Sequence, residues 1–102
     1  MDKFDLMEYL PNIKIVILDH YCYNGSLSYY LAKHNPNWTV VGYDTEENLA
    51  RTLPYYVEHY PQQLEPRNLR FVYDEYILNY FYDYVLYTQD RPNIKSNNFI
   101  KI

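Results

Sequence analysis

Glycine is nearly missing from this chain: only Gly25 and Gly42 occur in 102 residues. A phosphate cradle of the P-loop kind needs several glycines in one short run, so it is excluded. A nucleophile elbow and a His-Glu-x-x-His helix are absent too. Cysteine is rarer still. Cys22 stands alone, which excludes an intrachain disulfide and points to a reducing compartment. No apolar run approaches the ~20 residues of a membrane-spanning helix; the run from Ile13 to Leu18 has the length of a strand. The opening Met1-Asp2-Lys3-Phe4-Asp5 lacks the basic and apolar regions of a signal peptide. A cytoplasmic protein without a membrane partner is expected. Positive charge is also thin. Nine Lys and Arg face 13 Asp and Glu, for a net charge of −4, and no basic run occurs. Non-specific nucleic-acid affinity comes from clustered cations, so this balance counts against such a surface.

What is abundant is tyrosine: 15 residues, against 4 Phe and 1 Trp. Tyrosine has an apolar body and a polar tip, so it serves at the margin of a core or on an exposed, adhesive surface. The chain has the size of one ordinary domain. A core that small cannot hold so many rings, and several are expected at the surface. Aromatic residues are enriched at the centres of protein interfaces.

The order of elements reads as alternating helix and strand. Phe4, Leu6, Met7 and Leu10 have helical spacing, and Pro11 ends the segment. Residues 12–18 are β-branched and almost wholly apolar, as in a strand buried on both faces. Asn24-Gly25-Ser26 supplies turn and cap chemistry. Leu27, Tyr30, Leu31 and His34 then mark one face of a helix, which Asn35-Pro36-Asn37 stops. Trp38 to Tyr43 reads as a second strand. Asp44 or Thr45 can cap a third helix, with Glu46 and Glu47 in its first turn. Its stripe continues through Leu49, Leu53, Tyr56, Val57 and Tyr60, with a kink at Pro54. Residues 61–66 read as a loop. Leu69 to Tyr73 is a third strand. A helix begun by Asp74 or Glu75 would carry Ile77, Leu78, Phe81, Val85 and Leu86, with Asp74, Glu75 and Asp83 on its solvated face. Residues 98–102 alternate and read as a terminal edge strand.

The two halves look alike. Asn12-Ile13-Lys14-Ile15-Val16 falls on Asn68-Leu69-Arg70-Phe71-Val72, Asp19 on Glu75, and Pro36-Asn37-Trp38 on Pro92-Asn93-Ile94. The expected architecture is one small α/β domain over residues 1–102, with about four mainly parallel strands. Residues 12–43 form a first βαβ motif, residues 44–67 a linking helix and loop, and residues 68–102 a second βαβ motif, an internal duplication. Seams between such units are common binding sites.

Residues 16–44 resemble the opening of a Rossmann-type S-adenosylmethionine-dependent methyltransferase. The resemblance is carried by Val16-Ile17-Leu18-Asp19-His20-Tyr21-Cys22-Tyr23-Asn24-Gly25-Ser26-Leu27 and, further on, Val40-Val41-Gly42-Tyr43-Asp44. In that family an apolar strand ends in an acid, a glycine-rich turn follows, and a second acid ends the next strand. Asp19 and Asp44 stand where those acids would, and Gly25 where one glycine would. Tyr21 and Tyr23 stand where the other two glycines would. Glycine lets a cofactor approach the backbone, and two rings would fill that space. The expectation is therefore the shared geometry without a cofactor, with Asp19 ending a strand or capping a helix and Asp44 as a helix cap. His20 and Cys22 form a His-x-Cys pair, but no second pair with metal-ligand spacing follows. The tyrosine-rich bias of the whole chain, as in Tyr80-Phe81-Tyr82-Asp83-Tyr84, resembles the small orphan proteins of filamentous viruses of hyperthermophilic archaea, those of Acidianus among them. That resemblance implies a host cytoplasm and a viral or cellular protein partner.

Together these readings lead to a non-catalytic protein–protein interaction module, not an enzyme, that binds a peptide or protein segment in a groove between its repeated motifs. Ligands of open α/β sheets bind outside the carboxyl ends of the strands, so Tyr21, Tyr23, Tyr76 and Tyr80 are the expected partner contacts. The alternatives are a vestigial nucleotide- or S-adenosylmethionine-binding domain, or nucleic-acid binding through tyrosine stacking.

Overall fold

The computed structural model describes residues 1–51 and 66–102. Asp2 accepts from the Asp5 N–H at 2.9 Å and opens helix α1, Lys3–Tyr9, which stops before Pro11. Strand β1, Ile15–His20, follows, then helix α2, Ser26–His34, and strand β2, Trp38–Tyr43. A helical segment begins at residue 46 and is described as far as residue 51. Its cap is Thr45, whose hydroxyl accepts from the Asn48 N–H at 3.2 Å. The Pro54 kink, the stripe through Leu53, Tyr56, Val57 and Tyr60 and nearly all of the loop at 61–66 lie outside the described residues.

The second half departs from expectation. After β3, Leu69–Val72, the chain makes a 3-10 turn at Glu75–Asn79 and then three strand segments: β4, Phe81–Tyr82, β5, Tyr84–Tyr87, and β6, Lys95–Ser96. The expected helix through Ile77, Leu78, Phe81, Val85 and Leu86 is therefore two strands from residue 81 onward. Apolar spacing suggested a helix there, but tyrosine, phenylalanine and valine are stronger strand formers than helix formers. In β4 Phe81 is exposed and Tyr82 buried, whereas Val85 and Leu86 of β5 are both buried. The terminal strand β7, Phe99–Lys101, forms at the sheet edge as expected.

Five strands make one sheet in the order β3-β2-β1-β5-β7, and every neighbouring pair is parallel. A small second ladder pairs β4 with β6. This is the Rossmann-type arrangement, in which the chain runs outward from β1 in one direction and then returns to fill the other side. The continuous apolar run of β1 is explained by its place at the centre. Ile15 and Ile17 pack in one core with α1, α2, Trp38 and Val40, while Leu18 packs in the other with Val41, Tyr43, Tyr82 and Val85. Alternate side chains of a strand point to opposite faces, so a strand covered on both sides is apolar throughout.

Helix α2 faces the sheet with Ser28, Tyr29, Leu31 and Ala32, whereas Tyr30 and His34 of the expected stripe are exposed. The small Ser28 and Ala32 belong to the inward face, a signal that counting large apolar residues misses. At the amino ends of the strands, Trp38 Nε1 donates to the Pro11 carbonyl at 2.7 Å and ties the end of α1 to β2. Among the described residues no helix is long and apolar enough to cross a membrane.

Candidate functional site

The strand order reverses beside β1: its loop leads through α2 to β2 on one side, and β5 lies on the other. In open α/β sheets a crevice forms at the carboxyl ends of the strands at such a point. The loop there, residues 21–25, has an unusual backbone. Tyr21, Tyr23 and Gly25 all have left-handed φ angles, of 61°, 57° and 76°. Only glycine adopts this region at no steric cost, and a bulky residue there is an outlier. The loop thus keeps the alternating shape of a glycine-rich turn with tyrosine at two of its three left-handed positions.

Hydrogen bonds fix that shape. The Cys22 N–H donates to the Tyr43 carbonyl at 2.8 Å, and the Gly25 N–H to the Cys22 carbonyl at 2.9 Å. The Tyr23 N–H donates to Asp44 Oδ2 at 2.9 Å. Asp44 Oδ1 accepts from the Thr45 N–H at 2.7 Å and from Asn48 Nδ2 at 2.8 Å. Asp44 therefore ties the loop after β1 to the start of the helical segment after β2. The helix cap is its neighbour Thr45. A carboxylate offers about four acceptor positions, so three are filled, and a ligand hydroxyl reaching Oδ2 would share that atom with the Tyr23 N–H.

Asp19, in β1, is buried and accepts from Ser28 Oγ at 2.7 Å. Burial pushes its carboxyl up to about 6; the negative charge of Asp44 adds to this, and the Ser28 hydroxyl opposes it. Burial also pushes the Cys22 thiol far up, reinforced by Asp19 and Asp44, so Cys22 stays protonated. His20 is held below its ordinary value by burial, which Asp44 partly opposes.

Two contacts explain the only glycines. A Cβ on Gly42 would come within 2.7 Å of Phe71 Cδ1 and 3.0 Å of Ser28 Oγ, and one on Gly25 within 2.7 Å of Phe71 Cζ. The Phe71 ring of β3 fills the space beside both, so these glycines make room for a side chain of the protein itself.

The four tyrosines singled out from sequence are all exposed. Tyr21 joins His20 and Tyr43 in a ring cluster. Tyr23 contributes its N–H to Asp44. Tyr76 and Tyr80 meet edge to face, 6.2 Å apart, on the 3-10 turn after β3. β3 is separated from β1 by β2, so the two pairs rise from strands that are not neighbours. The sequence reading missed Tyr43 and the bonding of Asp44 to the loop. Their position at the end of the second strand was the available signal.

A groove of about 760 Å³ opens at the opposite end of the sheet, lined by Pro11, Asn12, Asn35 and Trp38 among others. Its amides bond to one another: Asn35 Nδ2 and Asn37 Nδ2 donate to Asn12 Oδ1 at 2.7 and 3.3 Å. It lies at the amino ends of β1 and β2, away from the switch point, and the site is not placed there.

No family model matches the chain, and no curated protein matches it. Solved structures do. The pyocyanin biosynthetic protein PhzM is similar with a TM-score of 0.64 and 15% identity, over 85% of this chain and 26% of that one. Precorrin-6y C5,15-methyltransferase from Geobacter metallireducens GS-15 is similar at 0.62 and 15%, over 82% and 45%. Magnesium protoporphyrin IX methyltransferase (ChlM) from Synechocystis PCC 6803, solved with bound SAH, is similar at 0.60 and 21%, over 82% and 39%. The chain spans less than half the length of each, and at these identities the likeness is one of fold. It nevertheless overturns two expectations. A fold shared with methyltransferases counts against the non-catalytic peptide-binding module and favours the alternative of a domain that binds S-adenosylmethionine, and the expectation of a protein that is not an enzyme is withdrawn. The sheet that the sequence reading assigned to a duplicated interaction domain is one shared with methyltransferases.

Proposed function

We propose that this chain is the S-adenosylmethionine-binding part of a methyltransferase-type domain, with its site at the carboxyl ends of β1 and β2. The observation that carries the reading is the loop of alternating left-handed residues, Tyr21, Tyr23 and Gly25, held to the Asp44 carboxylate at the switch point of the sheet. The residues fit a nucleoside ligand on two counts. The loop has the backbone form that a close-lying ligand requires of glycine. Asp44 stands at the end of the second strand, where dinucleotide-binding folds carry the acid that takes a ribose hydroxyl, and three of its acceptor positions are filled from the protein. Tyr21, in contact with His20 and Tyr43, and Tyr23 are both exposed.

In this reading Asp44 orients the ribose, and Asp19 with Ser28 holds the loop from below. Tyr21 and Tyr23 restrict approach to the loop backbone. The bound ligand supplies an activated methyl group on a sulfonium.

The test is ligand-induced stabilisation. A ligand that binds only the folded chain adds about 2.7 kcal/mol at a hundredfold excess over Kd. Millimolar S-adenosylmethionine or S-adenosylhomocysteine is expected to raise Tm by several degrees, and Asp44→Ala to abolish the rise at unchanged secondary structure. No rise with either ligand, together with no heat in calorimetric titration, would sink the reading.

A further inference from the structure

Three aromatic rings converge at the site. The His20 ring lies edge-on to Tyr21, with centroids 4.3 Å apart, and stacks on Tyr43 at 5.6 Å; Tyr21 and Tyr43 are 5.7 Å apart. Tyr43 is buried at the back of this triangle, and Tyr21 stands half exposed at its front, 50% accessible. Tyr21 holds that place at φ 61°, a left-handed backbone that is unfavourable for any residue with a Cβ. Glycine would satisfy the backbone without that cost, and so exposed a ring contributes little to the core. Strain retained next to a site is a reason to look for a role in the ring itself.

The ring's chemistry gives the role. Aromatic faces carry negative potential and attract onium cations. Burial holds the His20 imidazole below its ordinary value, which disfavours a positive charge inside the cluster. Burial pushes the Tyr43 hydroxyl up, and the Glu75 and Asp44 carboxylates add to it, so two negative groups stand near the triangle. We propose that the His20–Tyr21–Tyr43 triangle is a cation-recognising surface that selects the sulfonium form of an adenosyl ligand over its neutral thioether counterpart. This rests on the ligand class proposed above and adds a preference within it. A site of this kind holds the charged donor and releases the uncharged product.

Calorimetric titration of the full chain with S-adenosylmethionine, S-adenosylhomocysteine and sinefungin, whose amine replaces the sulfonium, tests it. Both cationic ligands are expected to bind about tenfold more tightly than the thioether. Tyr21→Gly, the substitution the backbone tolerates best, should bring the ratio close to one, with circular dichroism confirming the fold. Tyr21→Phe, which keeps the ring face, should preserve it. Equal affinities in the unaltered chain, or a preference that survives Tyr21→Gly, would overturn the cation-selection proposal and leave the ligand class standing. Failure of all three ligands to bind would overturn both.

Discussion

The Tyr23 N–H and the Asp44 carboxylate meet at 2.9 Å, joining the loop after β1 to the end of β2. The same carboxylate accepts from Thr45 and Asn48, so one buried side chain organises both sides of the candidate site. Asp44→Asn keeps the size but turns one oxygen into a donor, which then faces an N–H of Tyr23 or Thr45. A buried donor left without an acceptor costs about 1–3 kcal/mol. Urea denaturation followed through Trp38, the single tryptophan and almost fully buried, should show a loss of that size. A variant as stable as the original would mean that these bonds carry no weight.

Gly42 and Phe71 should behave as a coupled pair. Gly42→Ala drives a Cβ into the Phe71 ring at 2.7 Å, and overpacking of this kind costs about 1–3 kcal/mol. Phe71→Leu removes the obstructing ring edge and should recover part of that loss. In a double-mutant cycle the coupling is expected to exceed about 0.5 kcal/mol; simple additivity would contradict the contact.

Asp19 should leave a signature in the pH dependence of stability. Its carboxyl is pushed up to about 6, chiefly by burial. The folded chain therefore keeps this proton to higher pH than the unfolded chain does, and stability falls as pH rises from about 4 through about 6, then levels off. The size is about 3 kcal/mol. Asp19→Asn cannot titrate, so the difference between the two stability curves should open across this window and be flat above pH 7. A difference independent of pH would show that Asp19 is not held protonated.

The ring at position 23 should be dispensable to the fold. It is 73% exposed, with φ at 57°. Tyr23→Gly relieves the left-handed backbone but adds freedom to the unfolded chain, terms of about 1 kcal/mol each with opposite signs. Its stability should stay within about 1 kcal/mol of the original. Tyr23→Val, β-branched in the same conformation, should cost more. Equal stability of the two variants would argue that the loop does not hold its left-handed form in solution.

Much of the fold could be read from the residues, and the limits have physical causes. β1 was legible because a central strand buried on both faces has no polar alternation, and Ile15 to Leu18 is apolar at every position. α2 was legible through its Gly25 entry and its Asn35-Pro36 stop. β5 was not. Val85 and Leu86 lie at helical spacing from Ile77 and Leu78, and in so short a strand between two tyrosines no alternation marks the faces. The site was half legible. The acids at 19 and 44 and the place of the loop followed from the order of strands and turns. The left-handed backbone of Tyr21 and Tyr23 did not, because tyrosine at a glycine position reads as loss of the turn, whereas here the hydrogen bonds of Cys22, Tyr23 and Gly25 impose the turn regardless of side chain.

Asp83 sits just ahead of β5 and grips β1 in both directions: its N–H donates to the Val16 carbonyl at 2.9 Å, and its Oδ2 accepts from the Val16 N–H at 2.7 Å. β1 and β5 are otherwise runs of similar apolar and aromatic residues, and sliding one past the other by two positions would leave every side chain on its proper face. Burial alone gives little reason to prefer one alignment. A polar clasp at a single rung supplies it, since a slip breaks the bond between the Asp83 carboxylate and the Val16 N–H. Asp83 is thus the zero mark from which the rungs between the two halves of the sheet are counted.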